Sequence, residues 1–185
     1  MDCGSNNYQR FLAGDDGGME DIIKEYRDGL IFYLYKFVGS IDKAEELAED
    51  TFVLLCVKKP RDTQKCSFKT WLYTIGRNLS IDYLRRSAKH RSLRLDDCGD
   101  IASEQESIEA EYIRDSRKIL VNRALNRLKP DYRQVLWLLY FENMPYKDIS
   151  IIMKKSVHAT HMLASRAKEA LKNELIKEGL TDETY

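Results

Sequence analysis

The sequence predicts an all-α protein of two small helical domains joined by an acidic linker, the C-terminal one a helix-turn-helix. Three observations predict it. Only three prolines occur, Pro60, Pro130 and Pro145, and the stretches between them are rich in the helix formers Leu, Ile, Lys, Glu and Arg. Apolar residues recur in these stretches at helical spacing, whereas strand-like alternation is scarce. The apolar pattern also fades between about Ser92 and Glu111, where Asp96, Asp97, Asp100, Glu104 and Glu106 dominate. The expected boundaries are a first domain over 1–91, a linker over 92–115 and a second domain over 116–185, a division that suits a chain of 185 residues.

The first helix is expected from Met19 to Val38, with Ile22, Ile23, Tyr26, Leu30, Leu34 and Phe37 on its buried face and Gly39-Ser40 breaking it. A second starts near Asp42 as cap, buries Ala44, Leu47, Ala48, Thr51, Phe52 and Leu55, and turns Glu45, Glu46, Glu49 and Asp50 outward. Pro60 ends it, and Lys58 to Ser67 reads as a basic loop. A third helix runs from Phe68 to Lys89 on a stripe of Phe68, Trp71, Leu72, Ile75 and Leu79. In the second domain, Leu120, Ala124, Leu125 and Leu128 share a face with Ile119, and Val135, Leu136, Leu139 and Tyr140 are buried on the next helix. Two closely spaced helices follow, Tyr146 to Met153 and Val157 to Glu174, with Lys154-Lys155-Ser156 between them. That hairpin, its second helix basic towards the end, is a helix-turn-helix pattern.

A formal net charge of zero conceals blocks. Residues 1–57 carry 5 Lys/Arg against 12 Asp/Glu, and residues 58–94 carry 11 against 2. Residues 95–115 carry 1 against 8, and residues 116–185 carry 13 against 8. Screening over about 10 Å means that a phosphate backbone beside residues 58–94 feels that block rather than the average. Aromatics are interleaved there: Phe68, Trp71, Tyr73 and Tyr83 lie among Lys65, Lys69, Arg77, Arg85 and Arg86. Cations that track phosphates and rings that accept unstacked bases are what single-stranded DNA binding needs. The Asn78 amide can pair with a base edge. Phe68 and Trp71 also fall on the buried stripe, so Asn78 and the loop, including Lys65 and Ser67, are favoured for base contact.

No catalysis, cofactor or metal is expected. The chain has no phosphate-cradling glycine loop and no nucleophile motif. His158 and His161 lack a third ligand by spacing. The four cysteines, Cys3, Cys56, Cys66 and Cys98, form no Cys-x-x-Cys pair and read as reduced thiols. The polar, acidic N-terminus is unlike a secretory signal, and no apolar run approaches the roughly 18 residues of a membrane helix, so a cytoplasmic protein without a membrane segment is expected.

Three motifs carry a family resemblance. Asp42-Lys43-Ala44-Glu45-Glu46-Leu47 with Asp50-Thr51-Phe52 resembles the polymerase-binding helix of bacterial RNA polymerase sigma factors. Phe68 to Ile75, Arg77-Asn78-Leu79 and Asp82 to Arg86 resemble their promoter-melting helix. Leu128-Lys129-Pro130 through Arg133, Val135-Leu136 and Tyr146-Lys147-Asp148-Ile149 resemble the entry to their C-terminal helix-turn-helix. The resemblance spans roughly residues 19–175 and is to the extracytoplasmic-function (ECF) group of the sigma-70 family.

What the resemblance implies is specific. Glu45, Glu46, Leu47, Asp50 and Phe52 would bind the β′ clamp of core RNA polymerase. Lys65, Ser67, Phe68, Trp71, Tyr73, Arg77, Asn78, Arg85 and Arg86 would contact the melted −10 element of promoter DNA. His158, Ala159, Thr160, His161, Met162, Arg166 and Lys168 would read the −35 element, with the second domain also touching the β flap. An anti-sigma factor is an expected partner, and opposed charge would let the linker mask residues 58–94. The recognition helix departs from the family at His161 and Leu163, where basic residues are usual, at Thr160, where valine is usual, and at Lys154, where glycine is usual. An unusual or weaker −35 dependence follows. A freestanding helix-turn-helix regulator is the competing reading; it accounts for residues 116–175 but leaves the first-domain motifs unexplained.

Overall fold

The computed structural model describes residues 2–61, 65–93 and 116–178, with side chains for 2–61, 65–89 and 120–178. The acidic linker beyond residue 93, Cys98 and Ile119 of the expected fifth-helix face lie outside these descriptions. Among the described residues there are eight helices: α1 (Cys3–Leu12), α2 (Gly17–Val38), α3 (Ile41–Lys58), α4 (Phe68–Leu93), α5 (Ser116–Arg127), α6 (Pro130–Tyr140), α7 (Tyr146–Met153) and α8 (Val157–Lys177). No strand interrupts them.

α2 is the centre of the molecule. It packs against α1, α3, α4 and, from the second half of the chain, α6. Such a helix must be apolar on most sides, and Ile22, Leu30, Ile31, Tyr33 and Leu34 are all buried. Gly39 ends it in the left-handed conformation at φ 77, its N–H donating to Tyr35 O at 2.8 Å. Ser40 then caps α3 by accepting from Lys43 N, two residues ahead of the Asp42 cap expected. α4 crosses α2 and α3 closely because Gly76 has no side chain. A Cβ there would stand 3.1 Å from Leu30 Cδ1 and 3.4 Å from Thr51 Oγ1.

The expectation missed α1. Its buried face is Gly4, Ser5, Asn7, Tyr8 and Phe11, mostly small or polar residues that leave little apolar periodicity. Asp2 caps it, its carboxylate accepting from Ser5 N at 2.7 Å. Gly18 of α2 admits α1 to backbone contact, since a Cβ there would lie 2.3 Å from Asn7 O.

α6, α7 and α8 form the second core, with Val135, Leu136, Leu138, Ile149, Ile152, Met153, Ala164 and Ala167 buried. Pro130 occupies the first turn of α6, where its missing N–H costs nothing. Arg127 at the end of α5 pairs with Glu174 of α8 and with Glu178 just past its end, and so joins those helices. The α7–α8 turn is as expected. Lys154 takes the left-handed conformation at φ 52, and Ser156 Oγ caps α8 by accepting from Ala159 N at 3.1 Å.

The two halves are in contact along a seam in which α2 meets α6 and α4 meets α7. The expected masking of residues 58–94 by the acidic linker falls outside the described residues; what is seen is that α7 covers part of α4.

Candidate nucleic-acid and polymerase interface

The outer face of α3 is the first exposed feature. Glu45, Glu46, Glu49 and Asp50 are exposed, as expected. Leu47 and Phe52 are not available: they are 5% and 6% exposed and belong to the core, because the same apolar stripe that resembles a binding motif holds α3 to α2 and α4. The exposed apolar residues of this helix are Val53, at 57%, and Val57, at 75%. With Glu46 and Asp50 they recur at helical spacing and give a stripe that is acidic at one end and apolar at the other. Lys43 pairs with Glu46, and its Nζ also lies over the Tyr83 ring, 4.9 Å from the centroid. The hydrogen bond to Glu46 holds the Lys43 ammonium above the ordinary lysine range.

The second feature is the start and outer face of α4. Lys65 is exposed, and Ser67, Trp71 and Asn78 are half-buried. Ser67 Oγ accepts from Thr70 N at 3.2 Å and caps the helix. Arg85 and Arg86 are exposed. Phe68 and Tyr73 are buried, at 0% and 1%, and so cannot stack on a base in this conformation. Phe68 packs among Tyr8, Tyr26 and Trp71, with ring centroids 5.6–5.7 Å away.

Arg77 is the larger correction. It was expected at phosphates but is 8% exposed and sits in the seam. Its Nε donates to Gln134 Oε1 at 3.1 Å, and its guanidinium lies 5.6 Å from the Phe37 ring centroid. The same Gln134 oxygen accepts from Tyr33 Oη at 3.2 Å. Burial pushes the Tyr33 phenol above the ordinary tyrosine range, against the pull of Arg77, so it remains a donor.

A second polar knot lies close by. Glu142 pairs with Lys69 Nζ at 2.7 Å and accepts from Trp137 Nε1 at 3.2 Å. The Lys69 ammonium also donates to Glu142 O at 3.2 Å. Burial, with the Glu142 charge and hydrogen bond, holds the Tyr73 phenol protonated far above its ordinary range. Gly29 of α2 makes room for this knot: a Cβ there would stand 2.7 Å from Tyr73 Oη and 3.1 Å from Glu142 Oε1. Sequence reasoning missed Gly29, Tyr33, Gln134 and Glu142. The one signal was a glutamine inside the apolar stripe of α6, beside Val135 and Leu136.

The third feature is α8. His158, Ala159, His161, Met162, Arg166 and Lys168 are exposed. Thr160 is fully buried and its Oγ1 donates to Ser156 O at 2.9 Å, so the expected −35 contact is not open to it. His158, His161, Met162 and Ser165 share one outer stripe by spacing. His161 lies on Tyr146 of α7, ring centroids 3.6 Å apart and planes at 24°. Lys168 lies over Tyr140, 5.5 Å from the centroid, and a hydrogen bond to that phenol raises its pKa. Among the described residues no helix is long and apolar enough to cross a membrane.

Residues 22–90 match the family model for sigma-70 region 2, and residues 118–171 match that for sigma-70 region 4. The RNA polymerase sigma factor YlaC of Bacillus subtilis is 26% identical over 160 residues, covering 86% of this chain and 92% of the relative. The ECF sigma factor SigW of the same organism is 25% identical over 170 residues, covering 88% and 91%. Among solved structures, the sigma factor RpoE in complex with the anti-sigma factor NepR from Bartonella quintana matches with a TM-score of 0.67 at 26% identity, over 85% of this chain and 98% of that one. CnrH, solved with the cytosolic domain of CnrY, has the same TM-score at 18% identity, over 95% of this chain and 99% of that one, a likeness of fold. With regions 2 and 4 matched in that order over well over half its length, the chain belongs to the extracytoplasmic-function group of the sigma-70 family, the factors that direct RNA polymerase to promoters.

Proposed function

We propose that residues 1–91 bind core RNA polymerase and the melted −10 element, and that residues 116–185 read the −35 element. The observation that carries this division is the placement of three exposed faces on the two matched regions. α3 offers Glu46, Asp50, Val53 and Val57 to the polymerase clamp. The α4 start, Asn78, Arg85 and Arg86 face the −10 strand, and His158, His161, Met162 and Arg166 on α8 face the duplex. Flipping a base out of the stack costs a few kcal/mol, which a pocket and a held strand must offset. The protein supplies binding and positioning, and the chemistry of RNA synthesis stays with the polymerase. This places its work in the cytoplasm.

Arg77 can reach a phosphate only after the seam opens. Docking of α3 on polymerase and of α8 on the flap and the −35 duplex would hold the halves apart and supply that opening. The relatives solved with anti-sigma factors support an anti-sigma partner that acts on the same equilibrium.

The test is size-exclusion chromatography with bacterial core RNA polymerase, using Glu46→Arg, Asp50→Arg as the control. Co-elution lost in the double variant is the expected result. Duplex DNA binding by the chain alone, with no polymerase complex, would replace this reading with a freestanding regulator.

A further inference from the structure

We propose that α1, which lies outside both family-matched segments, braces the two described ends of the loop between α3 and α4, and that Tyr8 and Asp2 are positioning residues for −10 recognition. The proposal rests on the reading above that this loop and the start of α4 meet the −10 strand.

α1 grips the loop at both ends. On the entry side, Tyr8 Oη donates to Pro60 O at 2.8 Å, and Lys59 Nζ lies 4.8 Å from the Phe11 ring centroid. On the exit side, Asp2 Oδ2 accepts from Phe68 N, the first amide of α4, at 2.8 Å. That amide has no partner within its own helix, and a carboxylate at a helix N-terminus is favoured by the dipole as well as by the hydrogen bond. The other Asp2 oxygen caps α1 through Ser5 N, so one carboxylate joins the starts of two helices. Burial alone would raise this carboxyl, but the two amides outweigh it and hold it below the usual carboxylate range. It is ionised wherever the protein works.

The contact between α1 and α4 is close. A Cβ at Gly4 would stand 2.5 Å from Phe68 Cδ1, inside any tolerated distance, so only glycine lets α1 reach Phe68. Tyr8 is fully buried, with its ring 5.3 Å from Trp71 and 5.7 Å from Phe68. A buried tyrosine hydroxyl needs a hydrogen-bond partner, and one within its own helix would leave the loop untied. The hydroxyl, aimed at a loop carbonyl fifty-two positions away in sequence, instead fixes where the loop leaves α3. Between the two anchors lie Lys65 and Ser67, and Trp71 follows one turn later. With Pro60 and the start of α4 held, Ser67 and Trp71 have less freedom to lose when they receive a base, which is how preorganisation favours binding.

The test uses holoenzyme reconstituted from the full chain and core polymerase on a promoter selected by the wild-type holoenzyme. Tyr8→Phe keeps the ring and removes the tie. Asp2→Ala removes the other, and Asp2→Asn restores an acceptor. Permanganate reactivity of −10 thymines, −10 base preference and affinity for core are measured for each. Expected is a roughly three- to tenfold loss of promoter opening in Tyr8→Phe and Asp2→Ala, the scale of one buried hydrogen bond. Core affinity should be unchanged, −10 preference relaxed and opening partly recovered in Asp2→Asn. Unchanged opening and preference in both variants would overturn the brace, as would a parallel loss of core affinity, which marks a general folding role. Failure of the wild-type holoenzyme to open any promoter would overturn the functional reading itself.

Discussion

The imidazole of His161 lies flat on the phenol of Tyr146, exposed on the outer face of the recognition helix. Its stripe, with His158, Met162 and Ser165, carries no permanently charged side chain, so its attraction for phosphate is weak. Replacing His161 by Arg adds a fixed cation able to reach a guanine edge or a phosphate. His161→Arg should tighten binding to −35 duplex and steepen its salt dependence by roughly 0.9 in log K against log salt, the increment for one more phosphate neutralised. Fluorescence anisotropy over a salt series measures both, and an unchanged slope and affinity would show that this position does not face the duplex. Thr160, two residues from His158, belongs to the opposite face and holds the helix by its bond to Ser156. One residue of register separates the exposed His161 from the buried Thr160, and the family resemblance assigned both to DNA.

At the scale of the element, the turn between α7 and α8 exposes a local strain. Lys154 holds φ 52 and Asn143 before α7 holds the same value, but asparagine tolerates the left-handed region and lysine does not. Lys154→Gly should therefore stabilise the protein by about 0.5–1 kcal/mol, the relief being partly offset by glycine's extra freedom when unfolded. Chemical denaturation with an unchanged m-value checks it, and destabilisation would mean that the lysine side chain contributes more than its backbone costs. The elements that could be read from the sequence were those with apolar stripes, α2 to α8. α1 could not, because its inner face is Gly4, Ser5 and Asn7, which close packing rather than hydrophobicity explains. The motif of α3 misled in a complementary way. Leu47 and Phe52 carry the resemblance because they fold the helix, whereas Val53 and Val57 are the apolar residues left for a partner.

For the whole molecule, the seam decides which faces are available. Gln134 receives Arg77 and Tyr33, and Glu142 receives Lys69 and Trp137, across sequence separations of up to 101 residues. Such a contact has no local periodicity, and its polar groups look solvent-facing when read along the chain. It joins the segment matched by the region 2 model to that matched by the region 4 model. Gln134→Ala leaves the Tyr33 hydroxyl and Arg77 unsatisfied in the closed form, and Gly29→Glu thrusts a second carboxylate at Glu142. Each should shift the free chain towards an open form, seen as a larger radius of gyration by X-ray scattering. Each should also bind −10 single-stranded DNA more tightly without polymerase, because Arg77 is released. An unchanged radius together with unchanged affinity would mean that the seam does not control access to Arg77.

Promoter-specific initiation is the central claim, and run-off transcription tests it most directly. Core polymerase with and without the chain is incubated on a library of genomic promoter fragments, and the transcripts' 5′ ends are mapped. The account predicts discrete start sites that require the chain, share −10 and −35 elements at a fixed spacing, and disappear with Glu46→Arg, Asp50→Arg. Transcription that is unchanged by adding the chain, or start sites without common elements, would contradict it.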